Sequence, residues 1–399
     1  MSTVPIIGLE AAPGHQRLFS RQFAILAAAT SCFFLGAGAV NVLLPQYVVD
    51  DLGGSEASAG IAMGSMAVSA LVSRIWFGRL ADRRGARLIL VIGAVIAAIA
   101  SVLLVFTTSV IAVIVTRLIY GAGQAAFFTG ATTLSIDLAP DHRRSQAASY
   151  ILIAVHVGMG IGPLLAVGLS DRLSFDSIWI LTAGMIAVGG VIATFLAYRP
   201  PYRDAEPSPW IHPNALGPGV VSMFGVVAFN GFLMFAPLYA REIGLVHVGL
   251  VFTVASITIV IVRLAFGWVP DAIGPIRAGT GALVLTAVAA VVVAVWAQPA
   301  GMFAGAALLA IGLSLQSPSF IALAVDGVSA SERGSAMATF TGFFDIAGAL
   351  VGPMFGLVVT GYSYRAAFLI AAAMSVVAVV ILRVWVAPRH AGLDRDTTS

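Results

Sequence analysis

Residues 73–85 read SRIWFGRLADRRG and residues 262–274 read VRLAFGWVPDAIG. Laid on one another, they pair Arg74, Phe77, Gly78, Asp82 and Gly85 with Arg263, Phe266, Gly267, Asp271 and Gly274, a displacement of 189 residues. The same displacement carries Gly123 onto Gly312, Asp137 onto Asp326, Arg144 onto Arg333 and Met185 onto Met374, and one residue more carries Gly162-Pro163 onto Gly352-Pro353. A repeat at close to half the chain length means two copies of one unit in the same orientation.

That unit is a membrane bundle. Of 399 residues, 59% are hydrophobic and 10% charged, with a mean hydropathy of +1.00, whereas a soluble domain carries about 25% charged residues. A spanning helix takes roughly 20 apolar residues. Apolar runs bounded by charges or Gly/Pro breaks fall at 22–45, 57–77, 88–107, 109–136, 146–168, 176–197, 218–240, 246–266, 278–297, 301–325, 335–359 and 363–386. The expected fold is an all-α membrane protein with twelve transmembrane helices in two pseudo-symmetric six-helix bundles, 22–197 and 218–387. Residues 198–217, with Pro200, Pro201, Arg203, Asp204, Glu206, Pro207 and Pro209, are expected to be the linker, and 1–21 and 388–399 the tails. The first apolar run ends without a small-residue cleavage site, so the N-terminal tail is read as retained.

All 21 basic residues are arginine, and their placement orients the chain. With the N-terminus inside, fifteen of them, Arg79, Arg83, Arg84, Arg87, Arg143 and Arg144 included, fall on the cytoplasmic side, against Arg172, Arg241 and Arg365 outside. An excess of basic loop residues marks the cytoplasmic face, so both termini and the linker are expected there. No basic stripe interleaves with aromatics, which leaves nucleic-acid binding without support. The single cysteine, Cys32, permits no disulfide and no cysteine-based metal site. No G-x-x-x-x-G-K-[ST] loop occurs, so ATP hydrolysed by this chain is not the energy source. Neither a metal nor a cofactor is expected, nor is an enzyme activity.

Residues 78–87, Gly-Arg-Leu-Ala-Asp-Arg-Arg-Gly-Ala-Arg, lie between the second and third spans. Their glycines suit a tight turn or close helix approach, and their acid suits charge-assisted hydrogen bonds. The segment resembles the cytoplasmic signature of the major facilitator superfamily, G-x-L-A-D-R-x-G-R-K/R, with Ala86 in place of one basic residue. The resemblance extends over the whole chain through its span count, linker and degenerate second copy. It implies a conformational latch at Gly78, Asp82, Arg83 and Gly85, extended to Asp137 and Arg144. Arg117-x-x-x-Gly121-x-Gly123 resembles the R-x-x-Q-G-x-G pattern of proton-coupled drug exporters, with Tyr120 in place of Gln, and this implies a proton-coupling arginine. Gly158-x-x-x-Gly162-Pro163 resembles an element associated with exporters, and Gly348-x-x-x-Gly352-Pro353-x-x-Gly356 is its fuller copy. Small residues let helices touch closely, so Gly158, Gly162, Pro163, Gly352 and Pro353 are expected to form a gate between the halves. The stretch TGFFDIAGALVGP resembles short bacterial exporters, among them exporters of opine-type metallophores. The P-E-S-P-R pattern of sugar porters is absent after the sixth span.

Ionisable groups inside spans are functional-site candidates, because insertion of one costs about 2.5–3.5 kcal/mol. Asp345 is the acid placed at mid-span, and the 189-residue displacement sets it at the depth of His156. An acid and an imidazole can both exchange protons with an aqueous cavity, so Asp345, His156 and Arg117 are the expected proton-coupling groups. Asn41, Gln46, Gln124, Asn230 and Gln316 lie on helices one, four, seven and ten, which line the central cavity in the family. Together with Phe127, Phe128, Phe320 and Phe344 they are expected to bind substrate. Arg74 and Arg263 lie near the ends of their helices and read as snorkelling. An apolar, aromatic cavity with a few polar groups suits an amphipathic organic ligand. The reading is a monomeric, proton-coupled exporter of a small organic substrate in the lipid bilayer of a bacterial inner membrane. Alternatives are a proton-coupled importer on the same fold and a transport-inactive receptor or scaffold.

Overall fold

The computed structural model describes residues 20–139, 144–170, 172–197, 211–328 and 332–389. Most of the expected tails and of the expected linker therefore lies outside the described residues, as do the side chains of Asp82 and Arg144. Among the described residues, twelve helices are long and apolar enough to cross a membrane, and no strand is present.

The first half contains α1 (Arg21–Gln46, continued by a π-helical turn Tyr47–Asp51), α2 (Glu56–Arg84), α3 (Ala86–Leu103), α4 (Val110–Asp137), α5 (Arg144–Ser170) and α6 (Phe175–Ala193). The second contains α7 (Pro213–Gly225 and Val227–Glu242, broken at Val226), α8 (Val248–Phe266), α9 (Pro275–Val295), α10 (Pro299–Val325), α11 (Arg333–Gly361) and α12 (Tyr364–Ile381). Helix α7 begins at Pro213, inside the stretch expected as linker, because proline suits the first helical turn where its missing N–H costs nothing. Serine side chains cap α1, α2, α4, α6 and α12 by accepting from a backbone N–H in the first turn, each cap contributing about 1 kcal/mol.

Helix α2 runs through Gly78 and stops only at Gly85, whose φ is +90°. Its image in the second half, Gly274, has φ +87°. Gly78 is thus a helical residue with nothing within 4 Å of where its Cβ would stand, and the tight turn expected of this segment belongs to Gly85 alone.

The even number of spans returns the chain to the end where it began. At the opposite, distal end one continuous apolar core takes in both halves, from Val40 and Trp179 to Phe235, Phe252 and Phe355. Toward the terminal end the core divides. Phe23, Phe33, Phe127 and Leu134 cluster within the first half, and Val221, Leu283, Phe320 and Phe340 within the second. The halves meet along α2 against α11, α5 against α8, and α1 against the second piece of α7.

Candidate functional site

The contact of α2 with α11 is made backbone to backbone. A Cβ on Gly352 would stand 2.2 Å from the Gly60 carbonyl oxygen, and one on Gly60 would stand 2.1 Å from that of Gly352. Further toward the terminal end on the same seam, Arg74 Nε donates to Asp345 Oδ2 at 2.8 Å and Arg74 Nη2 donates to Asp345 Oδ1 at 3.0 Å. Two parallel charge-assisted bonds of this kind are the strongest pairing that guanidinium and carboxylate make. The Arg74 side chain is 23% and the Asp345 side chain 13% exposed, and the guanidinium also sits 5.7 Å above the Phe128 ring. Arg74 does not snorkel. It is the partner of the mid-span acid and comes from the other half of the molecule.

The seam of α5 with α8 is the image of this one. Gly249 approaches the Pro163 carbonyl, at 2.9 Å from where its Cβ would stand, and Gly249 and Pro163 are Gly60 and Gly352 displaced by 189. The same displacement turns Arg74 and Asp345 into Arg263 and His156, and Arg263 lies within electrostatic reach of His156. His156 Nδ1 bonds the Leu152 carbonyl at 2.7 Å. A carbonyl only accepts, so Nδ1 carries a proton and donates it. Arg263 Nε is buried without a hydrogen-bond partner. One seam therefore holds a cation against an anion, and the other holds a cation beside an imidazole.

This register corrects the expected gate. Gly158 and Gly162 do not face the other half: their Cβ positions would strike the Ser31 and Leu35 carbonyl oxygens of α1, at 2.5 and 2.1 Å. The residue facing α8 is Gly160, against Ser256, and its carbonyl accepts from Thr253 Oγ1 at 2.8 Å. Aligning the two Gly-Pro pairs slips the repeat by one position, which turns a helix by about 100° and exchanges the face toward α1 for the face toward α8. Pro163, Gly352 and Pro353 do lie on the seams, Pro353 against Gly64.

Arg117 is fully buried on α4. Its Nη2 donates to Asn41 Oδ1 of α1 at 3.1 Å and to Met66 Sδ of α2 at 3.0 Å, and its guanidinium lies 5.0 Å from the Tyr120 ring centroid. Arg117 Nε and Nη1, Tyr120 Oη and Gln124 Oε1 are buried without partners. Among the described residues, no carboxylate pairs with this guanidinium.

The expected substrate residues separate into three groups. Asn41, Gln124, Phe128, Asn230 and Phe344 are partly exposed. Phe127, Phe320 and Gln316 are closed inside their own halves: Phe127 is stacked on Phe33 at 3.9 Å, Phe320 lies against Gly279, and Gln316 Nε2 donates to Thr286 Oγ1 at 2.6 Å. Their side chains point away from the seam because the stripe of the helix that packs its own bundle is as apolar as the stripe that would face a cavity. Gln46 lies at the distal end, where its Oε1 accepts from Arg241 Nη2 at 2.9 Å. Arg241 also pairs with Asp50 through Nη1, closing α1 onto α7. Of the expected latch, Arg83 is exposed in the last turn of α2, and Asp137 is the last residue of α4. The Arg74 and Asp50–Arg241 pairings escaped the sequence reading. A signal for the first was present in the repeat, since Arg74 and Asp345 are the images of Arg263 and His156, two other ionisable residues on the helices of the second seam.

A family model described as Major Facilitator Superfamily matches residues 26–248 and 219–399. An uncharacterized MFS-type transporter of Salmonella typhimurium is 28% identical over 371 residues, 90% of this chain and 94% of that protein. The staphylopine export protein of Staphylococcus aureus is 27% identical over 252 residues, 59% of this chain and 62% of that protein. Among solved structures, the nucleoside transporter NupG superimposes with a TM-score of 0.76 at 17% identity, covering 91% of this chain and 99% of that one. The peptide transporter POT does so with a TM-score of 0.77 at 16% identity, covering 94% and 96%.

Proposed function

The chain belongs to the major facilitator superfamily, and from that premise we propose that it is a proton-coupled exporter of a small amphipathic organic compound, a drug-like molecule or a secreted metabolite such as a metallophore. It works by alternating access in a bacterial inner membrane, with both termini cytoplasmic. The observation that carries the reading is the Arg74–Asp345 pair between the halves. Ionised Asp345 holds α11 to α2. A proton on Asp345 removes the charge, and the two-bond pairing with Arg74 is lost with it. Exchange of one proton is thereby tied to which end of the bundle is open, which is the requirement for coupling. His156, beside Arg263 on the equivalent seam, is the second site where a proton alters the contact between halves, here by adding repulsion.

Export is favoured by the likeness to the staphylopine exporter. With the termini inside, the undivided core and the Asp50–Arg241 pair join the halves at the outer end, while toward the cytoplasmic side, from which an exporter loads, each half keeps a core of its own. The test uses inside-out vesicles energised by respiration and a fluorescent probe of internal acidity. Addition of a true cargo releases protons through an exporter and restores the fluorescence in vesicles that contain the protein. A symporting importer gives no such recovery. Candidate cargo comes from the metabolites lost from the medium of a deletion strain.

A further inference from the structure

A guanidinium buried without an anion is out of electrostatic balance. In Arg117, the charge sits in a fully buried side chain whose described partners are a neutral amide and a thioether. Both are weak acceptors for a charged donor, and Nε and Nη1 have none. Arginine keeps its proton in proteins, so the imbalance cannot be relieved by neutralising it. Tyr120 brings one further unpartnered donor, its buried hydroxyl, to the same helix face one turn on. These groups require an anion with two or more acceptor oxygens.

We propose that Arg117, together with Tyr120 Oη, is the carboxylate-binding subsite of the transport pathway, so that the cargo is an organic anion bearing a carboxylate. The inference rests on the transport reading above and assigns Arg117 to cargo, not to the proton. The groups covering Arg117 are suited to giving way. Met66 is a flexible side chain with three rotatable bonds, and Asn41, partly exposed on α1, marks the open edge of the cluster. A carboxylate entering past Asn41 displaces the Met66 sulfur and takes the free N–H groups of Arg117 pairwise. Tyr120 Oη then donates to the same carboxylate. Export of such a cargo moves negative charge out of an inside-negative cell, so the membrane potential adds to the proton gradient.

The test is binding to purified protein in lipid nanodiscs, with dansyl-phenylalanine and its methyl ester as probes, read by fluorescence and by thermal shift. Loss of a hydrogen-bonded charge pair is worth at least about tenfold in affinity. The acid is expected to bind at least that much more tightly than the ester to the unaltered protein. Arg117→Gln abolishes the preference, and Tyr120→Phe, which removes one hydroxyl and should fold normally, reduces it. Equal response to acid and ester, or response to neither, overturns the proposal without use of any variant. Sodium chloride in place of the probe is the control arm: if chloride alone gives the same thermal shift and competes fully with the acid, the group holds an inorganic counter-ion and the proposal fails. Because binding is measured without a proton gradient, failure here is distinguishable from failure of proton-driven export, which the vesicle assay reads.

Discussion

Arg74 and Asp345, 271 positions apart in the chain, share two hydrogen bonds across the seam between the halves. Removing one partner of a fully buried pair costs about 3–5 kcal/mol, because the other charge is left uncompensated. The loss is smaller for this pair, in which both side chains keep some contact with solvent. Asp345→Asn and Arg74→Gln are each expected to lower the melting temperature, and the double variant to recover most of the loss. Additive losses in the double variant would mean that the two residues act separately.

Two glycines of the sequence motifs should behave oppositely. Gly78 is inside α2 with empty space around its Cβ position, so Gly78→Ala should keep transport and gain up to about 1 kcal/mol from helix propensity. Gly352→Ala drives a methyl into the Gly60 carbonyl and forces α2 and α11 apart. It should abolish transport at normal expression. Transport assays on the two variants, side by side, check the pair.

The repeat makes His156→Asp a designed copy of Asp345, with Arg263 at the position equivalent to Arg74. A second ion pair between the halves should raise thermal stability and slow the transport cycle, each change lost again in His156→Asp with Arg263→Gln. Unchanged stability would show that Arg263 does not reach the position.

The architecture was legible because span length and span count are written in apolar runs, and the two-fold repeat is written in spaced glycines, arginines and acids. Turn chemistry was legible only in part. Both Gly78 and Gly85 permit a turn, but only Gly85 takes positive φ, and nothing local distinguishes them. The site was harder to read, because its residues are set by which face of a helix meets which neighbour. Gly158, Gly160 and Gly162 are equally small, yet α1 takes two of them and α8 the third. Phe127 and Phe128 are adjacent and alike, yet one is stacked inside the first half and the other lies under Arg74. Asp345 was identified by its depth alone, while its partner on another helix required the three-dimensional arrangement.

On the proposed mechanism the charge on Asp345 sets which end of the bundle is open, and a distance measurement between spin labels tests this without knowledge of the cargo. With Cys32 replaced by Ser, cysteines at Thr108 and Gln298, exposed at the distal ends of the first and second halves, carry the labels. An ionised Asp345 favours the distal-closed form described here, so lowering the pH should shift the distance distribution of the otherwise unaltered protein toward longer values. Asp345→Asn should show the long-distance population at every pH. A distribution for Asp345→Asn that follows pH as the parent does would mean that another group sets which end is open.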